Sequence, residues 1–170
     1  VATGDFQQAE FAADLNKVHN GTASSEYSDP VEFYGRTYLT KGLSDLLIGA
    51  ARRLSGAGGD PVVELQTNFG GGKTHSMLAL YHMAGNKPAS DLAGLDILLN
   101  EAGLSVPETV NRAVLVGTAR GPSNPANTDG GPQIYTTWGD LAWQIGGQEG
   151  FDMLADDDAA GTAPGSELLE

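Results

Sequence analysis

Apolar residues recur at helical spacing in several stretches of the chain, and in two places they bunch at strand-like density. Over residues 5 to 19, Phe6, Ala9, Ala13 and Val18 fall near one side with Phe11 and Leu15 adjoining, which predicts a first helix. Leu43, Leu46, Leu47, Ala50, Ala51 and Leu54 predict a second, opening at Thr37 or Thr40 and stopped by Gly56, Gly58 and Gly59. Met77, Leu78, Leu80, Tyr81 and Ala84 form a third stripe, and Leu92, Leu95, Leu98, Leu99 and Ala102 a fourth from Asp91 to Ala102. A last helix runs from Thr137 to about Ile145 with Trp138, Leu141, Ala142 and Ile145 as its core face and Trp143 on the other side. Val62, Val63 and Leu65, and later the run AVLVG at 113 to 117, lack that spacing and predict strands at 61 to 67 and 112 to 118.

Between these elements the chain is polar. The loop NGTASSEYSDP contains the sequon Asn20-Gly-Thr22, which without a secretion signal reads as a turn, and Pro30 opens the next segment. Residues 121 to 133 form a loop dense in Pro, Gly and Asn, with no single fixed shape unless it packs against a partner. In the tail, Asp156, Asp157 and Asp158 match no calcium-loop spacing and read as a solvated charge run.

Length, at 170 residues, fits one domain with its own core. The absence of cysteine excludes disulfides and thiolate metal sites and fits a cytoplasmic setting. No run approaches the ~20 apolar residues of a membrane span, and the N-terminus lacks the regions of a signal peptide. A start at Val1 in place of methionine points to a processed product or a piece of something longer. Twenty-two acidic against nine basic residues give a net charge of −13, which repels a nucleic-acid backbone, and the one basic pair, Arg52 and Arg53, reads as helix C-terminal charge.

One segment carries candidate chemistry. PVVELQTNFGGGKTH, residues 61 to 75, reads as strand, glycine-rich turn and helix start, the order of a phosphate-binding loop. Gly70, Gly71 and Gly72 let backbone N–H groups approach an anion, Lys73 reaches the β- and γ-phosphates, and Thr74 is placed to ligate magnesium. Thr67 stands where the full pattern has a glycine, a departure far from the phosphate-facing end. His75 and His82, seven apart on one helical face, are conceivable metal ligands without a third, and His75 follows the loop closely enough to lie near the phosphates. A solvated or core role for His75 is about as well supported.

The strings DPVEFYGRTYLTKGL, GGDPVVELQTNFGGGKTHSMLALYHM, RAVLVGT and TTWGDLAWQIGG resemble, in order, the N-terminal part of large prokaryotic AAA-like P-loop ATPases. Such proteins are often encoded in phage-defence islands beside methyltransferase-like genes, and some carry a HEPN-type domain. The resemblance implies that Asn68, Phe69 and the residues through Thr74 bind the phosphates of ATP with Mg²⁺ on Thr74, and that Thr67 is usual there. The expected fold is thus α/β, a three-layer P-loop NTPase with an incomplete parallel sheet. Residues 1–60 form an N-terminal helical region, 61–150 the core segment and 151–170 an acidic tail or linker. The expected partners are ATP and either parent-protein domains or copies of the chain, with no membrane and no direct nucleic-acid surface.

Neither predicted strand ends in a carboxylate, and LDILLNE is a helix by its spacing, so the segment lacks the acid that orients magnesium or water. Hydrolysis is therefore expected of the parent protein and not of these residues alone. The competing readings are a non-hydrolysing nucleotide sensor and an interaction module of a larger assembly.

Overall fold

A computed structural model describes residues 13–66, 72–116, 125–127 and 130–166. The chain divides into two compact units, residues 1–110 and 111–170.

The first unit is helical. Asp14 caps α1 (Leu15–His19) by accepting from the amides of Asn16 and Lys17, and a short α2 (Ser25–Ser28) follows. Residues 5–12 of the predicted first helix lie outside the described residues. Asp29 caps α3 (Pro30–Arg36) through Val31 and Glu32, with Pro30 in the first turn, where its missing N–H costs nothing. Thr40 then caps α4 (Lys41–Leu54), whose stripe of Leu43, Leu47 and Ala51 is buried as its spacing requires. The next helix, α5 (Lys73–Met83), packs against α1, α3 and α4, so it buries Leu78, Ala79, His82 and Met83 on more than one side. Tyr34 donates to the Ala79 carbonyl at 2.8 Å, fixing α3 to the middle of α5, and burial raises the pKa of its phenol. A turn of 3-10 helix (Ala89–Asp91) leads to α6 (Leu95–Glu101), which packs against α4 through buried Leu95 and Leu99. LDILLNE is therefore the helix its leucines predict.

The expected three-layer α/β fold with a parallel sheet is overturned: the protein is mostly helical. Among the described residues the strands are β1 (Ala126–Asn127) and β2 (Gln133–Ile134), a two-residue antiparallel pair with Ala126 opposite Ile134. Residues 62–66 and 111–116 form neither helix nor strand. A β-branched run favours a strand only where neighbouring strands and a covering layer bury it. Val62 and Val63 instead stand 81% and 54% exposed, and Leu115 and Val116 are also exposed. Helix-on-helix packing around α5 supplies the core that the sheet was expected to supply.

In the second unit, Thr136 accepts from the Gly139 amide and caps α7 (Thr137–Asp152). Gly147, at φ 59° and ψ −144°, breaks α7 close to the predicted stop at Ile145. Short α8 (Ala155–Ala160) packs back against α7. The predicted core face of α7 is corrected: Trp138 and Ile145 are exposed, while Gly139 and Asp140 are buried. The reason is Asp158. Its carboxylate lies where a side chain on Gly139 would sit, with Ile134 beside it, so the face that turns inward is the one without bulk.

The solvated reading of the acidic run is corrected for Asp158, which is buried. It accepts from the Tyr135 amide at 2.9 Å, the Thr136 amide at 2.8 Å and the Thr136 hydroxyl at 2.6 Å. Gln144 supplies a second tie, accepting from the Val114 amide at 2.8 Å and donating to its carbonyl at 3.0 Å, with Asp140 accepting from the same amide group. A side-chain carboxamide thus meets the backbone groups that a neighbouring strand would have met. No helix among the described residues is long and apolar enough to cross a membrane.

Candidate functional site

Of the residues that carry candidate chemistry, Gly72, Lys73, Thr74 and His75 are described at the N-terminal end of α5, and His82 lies at its other end. Asn68, Phe69, Gly70 and Gly71 lie outside the described residues. Gly72 is described, and its left-handed backbone, φ 77° and ψ 14°, is the conformation that its lack of Cβ makes cheap. The chain turns there directly into the helix. Lys73 is the first helical residue, Thr74 and His75 follow in the first turn, and all three are half-buried. The Gly72 carbonyl accepts from the Ser76 amide at 2.8 Å, closing the first helical bond. A glycine offers no capping side chain, and the first turn of α5 holds no acidic residue. A helix start carries a partial positive charge, and Lys73 is the residue that opens this one.

Behind that turn, His75 is held on two sides. Its Nε2 lies 3.0 Å from the Thr37 hydroxyl, and its ring is tilted 34° against Phe33 with centroids 4.5 Å apart. Thr37 in turn donates to the Phe33 carbonyl at 2.7 Å. Burial lowers the pKa of His75 below its ordinary value of 6.5. His82, two turns along on the same face, packs on the same Phe33 ring at 5.1 Å and places its Nε2 2.8 Å from the Tyr27 carbonyl. A carbonyl can only accept, so that nitrogen carries a proton. Each histidine thus has its Nε2 in a hydrogen bond and its ring packed on Phe33, and no group of three or more metal-ligating side chains is present among the described residues.

The pH dependence of this arrangement has a defined sign. Between the lowered folded value of His75 and 6.5, the unfolded chain binds more protons than the folded one. Stability contributed by neutral His75 is complete above that window and falls as pH drops through it. Urea unfolding between about pH 7 and about pH 5 should show a falling midpoint, and the fall should be smaller in His75→Gln. An equal pH dependence in both proteins would remove His75 as its source.

Sequence reasoning missed Phe33 and Thr37. The signal was available, since Asp29 followed by Pro30 and Glu32 is a helix start and places Phe33 and Thr37 four apart on one face. At the far end of α5 a separate cleft of about 610 Å³ is lined by Met83, Asn86, Lys87, Asp96, Leu99 and Glu108 among others, and it contains none of the candidate nucleotide-binding residues.

No curated protein and no solved structure matches the chain significantly. A family match, to the DUF499 N-terminal domain, covers residues 3–170, and the chain accordingly belongs to the DUF499 family.

Proposed function

We propose that the turn leading into α5 binds the phosphates of ATP, and that the chain is the ATP-binding segment of a larger cytoplasmic ATPase of the phage-defence type that its motifs resemble. The observation that carries this reading is local. A left-handed glycine hands the chain to an 11-residue helix whose first two residues are Lys73 and Thr74. An anion at such a helix start meets backbone N–H groups, the helix dipole and a lysine ammonium together. None of these depends on a parallel sheet, so the corrected fold leaves the local chemistry in place.

In this reading Lys73 neutralises charge on the β- and γ-phosphates, the N–H groups around Gly72 orient them, and the Thr74 hydroxyl holds Mg²⁺. A magnesium ion there would be held by the Thr74 hydroxyl and would supply charge neutralisation to the phosphate group. Calorimetric titration of ATP into the chain, with magnesium and with chelator, tests it. The wild type should bind in both, more tightly with magnesium. Thr74→Ala should lose the magnesium-dependent part, about 1 kcal/mol or roughly five-fold, and keep the rest. Failure of the wild type to bind ATP at millimolar concentration sinks the reading, while an equal loss in both conditions removes Thr74 as metal ligand.

A further inference from the structure

A hydroxyl group has one proton, and in Thr37 its destination is fixed. The Phe33 carbonyl, 2.7 Å away, can only accept, so Thr37 donates to it. The hydroxyl oxygen then faces His75 Nε2, 3.0 Å away, with a lone pair, and Nε2 must be the donor. In the neutral imidazole this leaves Nδ1 without a proton. The Phe33 ring, itself only 2% exposed, lies tilted against the imidazole and fixes its plane. Thr37 ends α3, and His75 is the third residue of α5. His75 is thus two residues along the chain from Lys73, in the same first turn of α5.

We propose that Thr37 and His75 are positioning residues for the nucleotide site: together they clamp the first turn of α5 to the end of α3, and His75 does so without donating to a phosphate. This rests on the ATP-binding reading above. With Nε2 spent on Thr37, the other ring nitrogen is an acceptor, and an acceptor is repelled by phosphate oxygen. The imidazole instead fixes where the Lys73 ammonium and the helix N–H groups stand. Sequence adjacency placed His75 beside the phosphates, and the hydrogen bonds give it a different task.

The test uses the 170-residue chain with ATP and magnesium in the calorimeter and long-range proton–nitrogen NMR of the imidazoles. The wild type should show His75 as the Nε2–H tautomer. Thr37→Val should weaken ATP binding about three- to ten-fold and shift the tautomer balance, and Thr37→Ser should restore both. Thr37→Ala gives the same comparison if valine disturbs folding. ATP affinity unchanged in Thr37→Val while Lys73→Ala loses binding overturns the positioning role alone. Failure of serine to rescue also overturns it, because bulk and not the hydroxyl would then matter. Equal affinity in the wild type and Lys73→Ala overturns the nucleotide reading and this proposal with it.

Discussion

Asp158→Ala is expected to destabilise residues 111–170 by about 3 kcal/mol, which for a unit of this size is a fall of roughly 10 °C or more in melting temperature. The carboxylate is 2% exposed and accepts three hydrogen bonds from Tyr135 and Thr136, all at the entry to α7. Alanine leaves two backbone donors and a hydroxyl without their acceptor, each costing on the order of 1–3 kcal/mol, offset in part because a buried carboxylate no longer has to be desolvated. Asp158→Asn should fall between the two. One amide oxygen can still serve Thr136, but the NH₂ group then faces the Tyr135 N–H, donor against donor. Both tryptophans, Trp138 and Trp143, lie in this unit, so the midpoint of their fluorescence in urea reports it directly. A midpoint in Asp158→Ala within error of the wild type would show that the buried carboxylate does not hold the unit together.

Lys73→Ala should reduce ATP affinity by about 100-fold or more while leaving the helical circular dichroism unchanged. The lysine is the first residue of α5, where alanine is compatible with the helix, so the folding cost is small. Its ammonium would make charge-assisted hydrogen bonds to phosphate, worth about 1.5–3 kcal/mol each, and two of them account for the expected loss. Lys73→Arg keeps the charge but exchanges a mobile point charge for a rigid planar fork, so it should recover part of the affinity and not all. Equal affinity in the wild type and Lys73→Ala by calorimetry would remove the site.

What could be read from the residues follows a physical division. The helices α4, α5 and α6 were legible because each buries one-sided or multi-sided apolar residues at helical spacing, a pattern that survives any choice of neighbours. The strands were not, because the apolar character of Val62, Val63, Leu115 and Val116 says nothing about whether another segment comes alongside. Asp158 was read as solvated for a similar reason. A row of three aspartates looks the same in sequence whether or not one of them turns inward, and its partners at 135 and 136 are more than twenty residues away. At the candidate site, the local pieces Gly72, Lys73 and Thr74 were visible, while the clamp on His75 required α3 and α5 to be brought together across 38 residues.

The placement of α5 has a thermodynamic consequence. Its first turn holds the candidate phosphate site, and a few residues on, Leu78 and Ala79 are fully buried at the centre of the helical unit. A ligand that requires the first turn to be formed therefore binds the folded unit and not the unfolded chain. Mass action then adds about 2.7 kcal/mol to the stability of residues 1–110 at a ligand concentration one hundred times the dissociation constant. Reciprocally, a substitution such as Leu78→Ala, with no contact to the ligand, lowers apparent affinity once it leaves a substantial unfolded fraction at working temperature. Heat denaturation thereby becomes an assay for ligands of unknown identity. Helix content or tyrosine gives a readout from within residues 1–110, since both tryptophans lie in residues 111–170.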